Sequence, residues 1–451
     1  MSLTFALNCA SIALLSVLAI DSPNPKLSID VLEVSFCHNG SNNWSISLSF
    51  KGSLRELVTD NIKFLSLTTL VETKIFESSG LYCFALLTKL LKIDSRANKL
   101  LIIAGAFSSN PELLVYGMLA SLLAAATWLL IASSLGWPVS TTHSIVGAIV
   151  GFGAVGVGIE AVSWNKVYAI IASWVVSPLI AGTMAIIIFK SLQRLVIDTD
   201  QPLENAKKYL PFYVFFVGFV LSLVTLLKGL KHVDSLKHLG KDLPTSMMIA
   251  TIVGILAAIL AAIILRRIKT NPEDDNDFSY ANMEKLFGGL MVITACSMAF
   301  AHGSNDVANA IGPLAAVYSI VESGGQIVSK SALPSWILLI GGGGIVFGLA
   351  TFGFRVMRTI GKNITELTPS RGFSAELAAA TTVVFASYTG LPVSTTQVLV
   401  GAVLGVGIAR GLASLNLRVI NKIFLSWIIT LPAGAVMSIL FFFALKGIFS
   451  A

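Results

Sequence analysis

Charged residues are scarce in this chain: Asp, Glu, Lys and Arg make up 12% of its 451 residues, whereas soluble proteins carry about 25%. Cysteine is also rare, and Cys9, Cys37, Cys83 and Cys296 show neither metal-ligand spacing nor a disulfide framework. A G-x-x-x-x-G-K-[ST] loop is missing, so the sequence does not indicate an ATP motor. These absences argue against a soluble protein, a cysteine metal site and a nucleotide-driven pump.

Hydrophobic residues are abundant instead, at 55% of the chain with a mean hydropathy of +0.82. Runs of about 20 apolar residues can cross a bilayer, and backbone groups in lipid must be satisfied within helices rather than in an open sheet. Such runs cover 111–135, 165–189, 209–227, 246–265, 284–302, 334–353 and 419–446. Shorter or interrupted runs cover 140–159, 306–321, 372–390 and 395–411. The sequence therefore predicts an all-α integral protein of the cell (inner) membrane, with about ten to twelve spans, some of them broken.

The net charge of +7 lies mainly in loops, as expected of a membrane protein rather than of a nucleic-acid-binding one. Both ends of the 209–265 helical hairpin are basic, so the positive-inside rule does not fix the orientation from sequence. We divide the chain into an atypical N-terminal region (1–108), a first transmembrane repeat (109–266), a polar acidic linker (267–283) and a second transmembrane repeat (284–451).

A fourteen-residue segment occurs twice, as PVSTTHSIVGAIVG at 138–151 and as PVSTTQVLVGAVLG at 392–405, with nine identical positions. Pro and the following hydroxyl residues define a helix start in each copy. A helix N-terminus carries partial positive charge and binds phosphate-like anions. Two such ends facing each other across a pseudo-two-fold axis would form an oxyanion cradle, whereas the simpler interpretation is ordinary capping of two buried helices. The candidate ligands are Ser140, Thr141, Thr142, Ser394, Thr395 and Thr396.

A second polar segment, HGSNDVANAIGPLAA at 302–316, follows an apolar run and puts Asp306 at membrane depth. A carboxylate there is costly and indicates a functional site. Asn305 and Asn309 share one helix face through their i, i+4 spacing, and Gly303 and Ser304 allow a bend before the helix resumes. Their oxygen atoms suit a small hard cation such as sodium at Asp306, although an Asp N-cap with Asn partners would also explain the segment.

Other polar residues receive smaller roles. We predict hydrogen bonding rather than proton relay for His143, because Gln397 occupies the same place in the second copy. His302 could titrate or simply pack between helices. In TELTPSRGFSAEL, Glu366, Arg371 and Glu376 predict a loop–helix cap with a salt bridge.

At these residues the chain resembles the inorganic phosphate transporter (PiT) family. GSNDVANA at 303–310 is similar to the family's GANDVANA motif, and 138–143 and 392–397 are similar to its PVSTTH or PVSTTQ motif. The resemblance covers about residues 109–451. It implies a polytopic helical bundle of two inverted repeats with re-entrant helices, phosphate as substrate, and sodium or a proton as the coupling ion. It also implies that Asn305, Asp306 and Asn309 serve the cation and phosphate site, and that both Ser-Thr-Thr triplets hold phosphate oxygens.

The N-terminal region departs from this family, whose members carry an N-D-x-A-N motif in both halves. This chain has that motif once, and residues 21–62 are polar with no evident pattern. IFESSGLY at 75–82 distantly resembles the helix that follows the missing motif. We hypothesise that residues 1 to about 75 are not native to the fold and represent a frameshifted, misassigned or recombined start.

The sequence thus predicts a cation-coupled phosphate symporter and not an enzyme, with phosphate, a monovalent cation and the lipid bilayer as partners. No cofactor and no nucleic acid are expected, and a homodimer is the candidate assembly. Transport of another tetrahedral oxyanion such as sulfate, or an inactive remnant, are the alternatives. An intramembrane hydrolase using His302, Ser304 and Asp306 is disfavoured, because one helix cannot easily align three residues so closely spaced.

Overall fold

The computed structural model describes residues 32–39, 43–50, 107, 110–229, 243–267, 276–327, 334–388 and 393–449. The chain forms two compact units, Met1–Ser79 and Gly80–Ala451. The second unit contains both PVSTT segments and the 302–316 segment.

The described part of the first unit is an antiparallel β-hairpin. Strand β1 (Leu32–Asn39) pairs with β2 (Asn43–Phe50), with Leu32 opposite Phe50 and Asn39 opposite Asn43. This hairpin corrects the view that 21–62 lacks a pattern, since apolar and Ser residues alternate along β2 (NWSISLSF) as they do in half-buried strands. The predicted all-α class holds for the described part of the second unit, which is helical.

Eleven α-helices make up the described part of the second unit. They are α1 (Pro111–Ser134), α2 (Thr141–Gly156), α3 (Trp164–Leu192), α4 (Pro202–Val224), α5 (Leu243–Arg267), α6 (Asn276–Glu322), α7 (Ser335–Gly348), α8 (Phe354–Arg358), α9 (Pro369–Tyr388), α10 (Thr395–Arg410) and α11 (Leu417–Phe449). Single π-helical turns follow α3, α4, α7 and α8, at Gln193–Ile197, Thr225–Gly229, Leu349–Gly353 and Thr359–Asn363. Short 3-10 turns, Ile159–Ala161 and Leu412–Ser414, follow α2 and α10.

Seven helical segments among the described residues are long and apolar enough to cross a bilayer. They are 111–134, 164–197, 202–227, 243–267, 279–322, 336–363 and 417–449, and they overlap the seven long apolar runs of the sequence. Helices α2 and α10 have 16 residues each and measure about 24 Å, which is shorter than the hydrocarbon core of about 30 Å. The chain is therefore a polytopic integral membrane protein, and its helices α2 and α10 are too short to cross the bilayer.

The two PVSTT copies begin equivalent structures. Helix α2, a 3-10 turn and the long α3 are matched by α10, a 3-10 turn and the long α11. The packing is exchanged between the halves, since α2 lies against α11 and α10 lies against α3. Gly151 of α2 faces the carbonyl oxygen of Ala435, and Gly401 of α10 faces that of Pro178, at distances that leave no room for a Cβ atom. This reciprocal packing is the arrangement that a pseudo-two-fold axis produces.

The short helices belong to two hairpins that open on opposite membrane faces. The α1–α2 hairpin opens where α11 ends, because the Tyr116 hydroxyl donates to the Phe449 carbonyl (3.4 Å). The α9–α10 hairpin opens where α11 begins, because the Asn416 amide donates to the Ile364 carbonyl (3.0 Å). Since α11 is long enough to cross the bilayer, the two hairpins enter from opposite sides. The re-entrant, inverted arrangement agrees with the predicted fold class.

Helix α6 differs from the sequence-based expectation because it is continuous. The runs 284–302 and 306–321 form one helix, which begins at Asn276 inside the predicted linker 267–283 and passes through Gly303 and Ser304 without interruption. Residues 268–275 of that linker lie outside the described part of the chain. A continuous helix keeps the i, i+4 rows of the 302–316 segment intact, so its polar residues are presented along fixed faces.

The predicted salt bridge in 365–377 does not form among the described residues. Arg371 donates to the backbone carbonyl of Glu366 (3.2 Å) rather than to its carboxylate, and Glu376 accepts from the Thr294 hydroxyl (2.6 Å). The start of α9 is capped instead from α6, where the Glu284 carboxylate accepts the Ser370 amide (2.9 Å) and hydroxyl (2.7 Å). A cap supplied by another helix is invisible to local sequence patterns.

Candidate functional site

The polar segment of α6 lies between the tips of the two hairpins. His302 and Asp306 form one i, i+4 pair, and Asn305 and Asn309 form another, because this part of α6 is a regular helix. The predicted shared face of Asn305 and Asn309 is therefore present. Each asparagine amide contacts a different hairpin, as described next, so α6 joins the two repeats at this level.

The first hairpin tip is bound by Asn309. Ser140 is the N-cap of α2, and its hydroxyl accepts the amide of His143 (3.1 Å). The Asn309 amide nitrogen donates to the hydroxyls of Thr141 (3.3 Å) and Thr142 (3.1 Å). The residues of the first triplet therefore have different roles. The Ser140 hydroxyl accepts a backbone N–H of its own helix, whereas the two threonine hydroxyls accept from Asn309 of α6.

The second hairpin tip repeats this cap. Ser394 is the N-cap of α10, and its hydroxyl accepts the amide of Gln397 (3.3 Å). The Asn305 amide nitrogen donates to the carbonyl of Val393 (3.3 Å), immediately before the cap. Thr396 is buried in the first turn of α10. The capping that competed with an oxyanion cradle in the sequence is thus real for both serines, and it leaves the threonines of each tip for a ligand.

Asp306 is the charged centre of this arrangement. Its Oδ1 accepts from the Thr395 hydroxyl (3.1 Å) and from the Asn305 amide (3.3 Å). Its Oδ2 lies 2.8 Å from Nε2 of His302. The carboxylate side chain is 9% exposed, and that of His302 is 36% exposed. A nearly buried carboxylate is thus held by three side chains from two helices.

The electrostatics follow from the helix ends. The first backbone N–H groups of α2 and α10 have no acceptor within their own helices, and each helix end carries about half a positive charge. Through Thr395, the Asp306 carboxylate lies at the end of α10, in a position that favours an anion. At the end of α2, the amide of Asn309 contacts both threonines, and the Thr141 hydroxyl also lies close to the Asp306 carboxylate. Both helix ends therefore meet the same polar segment of α6.

A second layer of aromatic residues supports the tips. The His143 ring stacks on Trp174, with ring centroids 3.5 Å apart, and neither of its ring nitrogens has a hydrogen-bond partner. Stacking on Trp174 is thus added to the predicted role of His143, whose ring also lies close to the Gln397 side chain and the Trp427 backbone. Trp427 of α11 donates its indole N–H to the carbonyl of Pro138 (2.9 Å), which fixes the first tip from the opposite repeat.

The site also contains groups that sequence reasoning missed. The carbonyl of Val393 carries no side-chain signal, and the pairing of His302 with Asp306 was not assigned although their i, i+4 spacing allows it. The side chain of Ser304 lies outside the described part of the structure.

Comparison with known proteins gives the same picture. The model of the phosphate transporter family matches residues 69–438. The match therefore begins about 40 residues before residue 109, which was the expected start of the family resemblance. A Haemophilus influenzae protein named "Putative phosphate permease" is 51% identical over 346 residues, which cover 76% of this chain and 81% of that protein. The Arabidopsis thaliana protein named "Inorganic phosphate transporter 2-1, chloroplastic" is 40% identical over 77% of this chain and 62% of its own length.

A solved structure is also similar. The protein titled "The sodium-dependent phosphate transporter" superposes with a TM-score of 0.71 at 36% sequence identity, covering 82% of this chain and 90% of that one. The family match covers far more than half of the chain. The solved structure shows that the fold is shared as well. The chain therefore belongs to the phosphate transporter family.

Proposed function

We propose that this protein is a cation-coupled symporter of inorganic phosphate in the cell (inner) membrane, and not an enzyme. The observation that carries the proposal is that one helix, α6, contacts the tips of both re-entrant hairpins, where α2 and α10 begin. The contacts are made by Asn305, Asp306 and Asn309. These helix ends offer N–H groups and threonine hydroxyls to a tetrahedral oxyanion. Alternating access would then consist of rocking the two repeats around this central site.

Coupling follows from the charge of Asp306. Two like charges about 4 Å apart at an effective dielectric constant of about 20 repel by about 4 kcal/mol, which weakens binding by nearly three orders of magnitude. Phosphate next to Asp306 therefore needs a cation between them. Carboxylate and amide oxygens are the ligands that a hard cation prefers, and the solved relative is titled sodium-dependent. Both features favour sodium over a proton as the coupling ion.

The two phosphate-binding triplets have unequal roles in this proposal. Thr141 and Thr142, now bonded to Asn309, would take phosphate oxygens at the end of α2 when the amide turns aside. Thr395 and Thr396 would do so at the end of α10 once a cation neutralises Asp306. Ser140 and Ser394 contribute by holding the helix starts in place.

The test is uptake of labelled phosphate into proteoliposomes containing the full chain. A sodium gradient at equal pH should drive uptake, and a pH gradient in choline should not. Asp306→Asn should reduce sodium-driven uptake at least about a hundredfold, since it removes the charge that binds the cation. The matched control is Glu322→Gln, which neutralises a carboxylate at the far end of α6 and should leave uptake within twofold.

Three results would contradict the proposal. Equal uptake by Asp306→Asn and the unmodified chain would remove the cation site. Excess unlabelled sulfate that competes as strongly as unlabelled phosphate would favour the broader oxyanion transporter. Correctly inserted but inactive protein would favour a remnant without the first N-D motif. The homodimer stays a prediction, which the mass of the detergent-solubilised protein would test.

A further inference from the structure

Two arginines meet at the open end of the α9–α10 hairpin, far along both helices from the Ser394 tip. Arg371 lies in the first turn of α9, and Arg410 is the last residue of α10. Both guanidinium groups donate to the same backbone oxygen, the carbonyl of Glu366, over 3.2 and 3.3 Å. Arg410 also donates to the Thr365 hydroxyl (3.2 Å). Two positive charges are thus held side by side by a single neutral acceptor.

Neither arginine forms an ion pair closer than 4.0 Å with a carboxylate among the described residues, although Glu284 and Glu366 attract Arg371 at longer range. Within those parts of the chain the ion pairs closer than 4.0 Å are Lys207–Glu204 and His302–Asp306. The nearest acidic partner in α6, Glu284, already accepts hydrogen bonds from Thr368, Ser370 and Tyr280. The Arg371 guanidinium moreover lies at a helix N-terminus, where the helix dipole disfavours a cation, and the repulsion from Arg410 acts against the attraction of Glu284 and Glu366.

Exposed aliphatic residues lie close to Arg410 along the chain. Ile408, Leu412 and Leu417 flank Arg410 along the chain, with exposed fractions of 47%, 70% and 63%. Arg410 lies where α10 ends and α11 begins, at the membrane face on which the hairpin opens. A headgroup phosphate beside exposed aliphatic side chains is the environment that an anionic lipid needs.

We propose that Arg371 and Arg410 form a binding site for a phosphate group, carried by an anionic lipid headgroup or by free inorganic phosphate. The planar guanidinium forks match phosphate oxygens and form charge-assisted hydrogen bonds to them. A phosphate group bound there bridges the two legs of the hairpin whose tip carries Ser394, Thr395 and Thr396. Occupancy of the arginine pair therefore clamps the base of the hairpin. Binding at this pair does not require the chain to transport anything.

The test uses the full chain in an uncharged detergent and two probes. Dioctanoyl phosphatidic acid is titrated by microscale thermophoresis, with dioctanoyl phosphatidylcholine as the zwitterionic control. Inorganic phosphate is read from the rise it causes in melting temperature in sodium-free choline buffer, where the proposed central site lacks the cation that it needs beside Asp306. The double variant Arg371→Gln/Arg410→Gln is compared with Arg418→Gln, which removes one exposed positive charge at the start of α11.

We expect the double variant to weaken phosphatidic acid binding, or to lose the phosphate-induced stabilisation, by about tenfold or more, the range for lost charged hydrogen bonds. Arg418→Gln should stay within twofold for both probes. A defect confined to the lipid probe identifies a headgroup, and one confined to inorganic phosphate identifies the free ion. If the double variant and Arg418→Gln behave alike for both probes, the site does not exist.

The arginines also tie the hairpin base, so the double variant could fail to fold. The single variant Arg371→Gln then replaces it, because Arg410 keeps both of its bonds to Thr365 and Glu366. An Arg371→Gln protein that melts like the unmodified chain and still binds both probes with unchanged affinity would overturn the proposal. Failure of phosphate uptake in the proteoliposome assay would leave these binding measurements unaffected.

Discussion

The hydroxyl of Thr395 donates a hydrogen bond of 3.1 Å to Oδ1 of Asp306, across 89 positions of the chain. Thr395 is the first residue of α10, and Asp306 lies within the central helix α6. The contact places a carboxylate at the positive end of a re-entrant helix, where an anion is stabilised. It links the proposed cation site directly to one of the two proposed phosphate-binding tips.

Removing this hydroxyl should impair coupling. Thr395→Val keeps the shape of the side chain and loses the donor to Asp306, and hydrogen bonds to charged groups contribute about 1.5–3 kcal/mol. We expect sodium-driven phosphate uptake to fall at least about tenfold, with the sodium concentration for half-maximal uptake displaced. Thr395→Ser retains the hydroxyl and should stay within threefold. Indistinguishable sodium dependence in Thr395→Val and the unmodified chain would show that the bond has no part in coupling.

His143 should tolerate glutamine. Its ring is buried against Trp174 and makes no described hydrogen bond through either nitrogen, and Gln397 fills the equivalent place in the other repeat. His143→Gln is therefore expected to keep uptake within about twofold. His143→Ala leaves a cavity beside Trp174 and should destabilise the protein by about 2–4 kcal/mol, seen as a lower melting temperature in detergent. An inactive but stable His143→Gln protein would instead make the imidazole itself essential.

Close helix contact predicts a steric effect at Gly151. A Cβ atom there would lie 2.6 Å from the carbonyl oxygen of Ala435 in α11, so Gly151→Ala must push the two repeats apart. Overpacking of this kind costs about 1–3 kcal/mol, and we expect a lower melting temperature together with reduced uptake. Gly447→Ala is the matched control, because a Cβ atom on Gly447 has no neighbour within 4 Å. Equal stability of both variants would contradict the reciprocal packing.

Local patterns were sufficient for much of this molecule. The long apolar runs locate the spanning helices, because a lipid environment demands both helix and hydrophobicity. The Pro-Val-Ser-Thr-Thr copies locate the starts of α2 and α10, where Ser140 and Ser394 cap their helices. The i, i+4 spacing of Asn305 and Asn309 places both on one face of α6. Each of these features depends on residues that are close together in the sequence, which is why the sequence alone predicts it.

The remaining features depend on contacts between distant residues. The bonds from Thr395 to Asp306 and from Asn309 to Thr142 join helices that sequence spacing cannot align. The stacking of His143 on Trp174 also joins residues whose spacing in the sequence does not predict a contact. The continuity of α6 through Gly303 was missed because glycine permits a bend without requiring one. The β-hairpin was not predicted, although apolar and polar residues alternate along both strands, LEVSFCHN and NWSISLSF.

The hairpins also group the described basic residues by membrane face. Because α1–α2 and α9–α10 turn back inside the membrane, the ends of α3, α5 and α9–α10 share one face, together with the start of α11. Basic residues gather on that face: Lys190, Arg194, Lys207, Lys208, Arg266, Arg267, Arg371, Arg410, Arg418 and Lys422. Described basic residues at the opposite face are Lys166, Lys228 and Lys446, beside Glu112, Glu160 and Glu322. The positive-inside rule then predicts that the α9–α10 hairpin opens to the cytoplasm.

Cysteine labelling checks this orientation. Arg418→Cys and Lys446→Cys mark the exposed start and end of α11 and would be made separately in a chain whose four native cysteines are replaced. A membrane-impermeant maleimide should label Lys446→Cys in intact cells and Arg418→Cys only after permeabilisation, because α11 crosses the bilayer between them. The reverse pattern would place the basic face outside, which opposes the charge bias. Labelling of both in intact cells would mean that α11 does not span, which would remove the argument for hairpins entering from opposite sides.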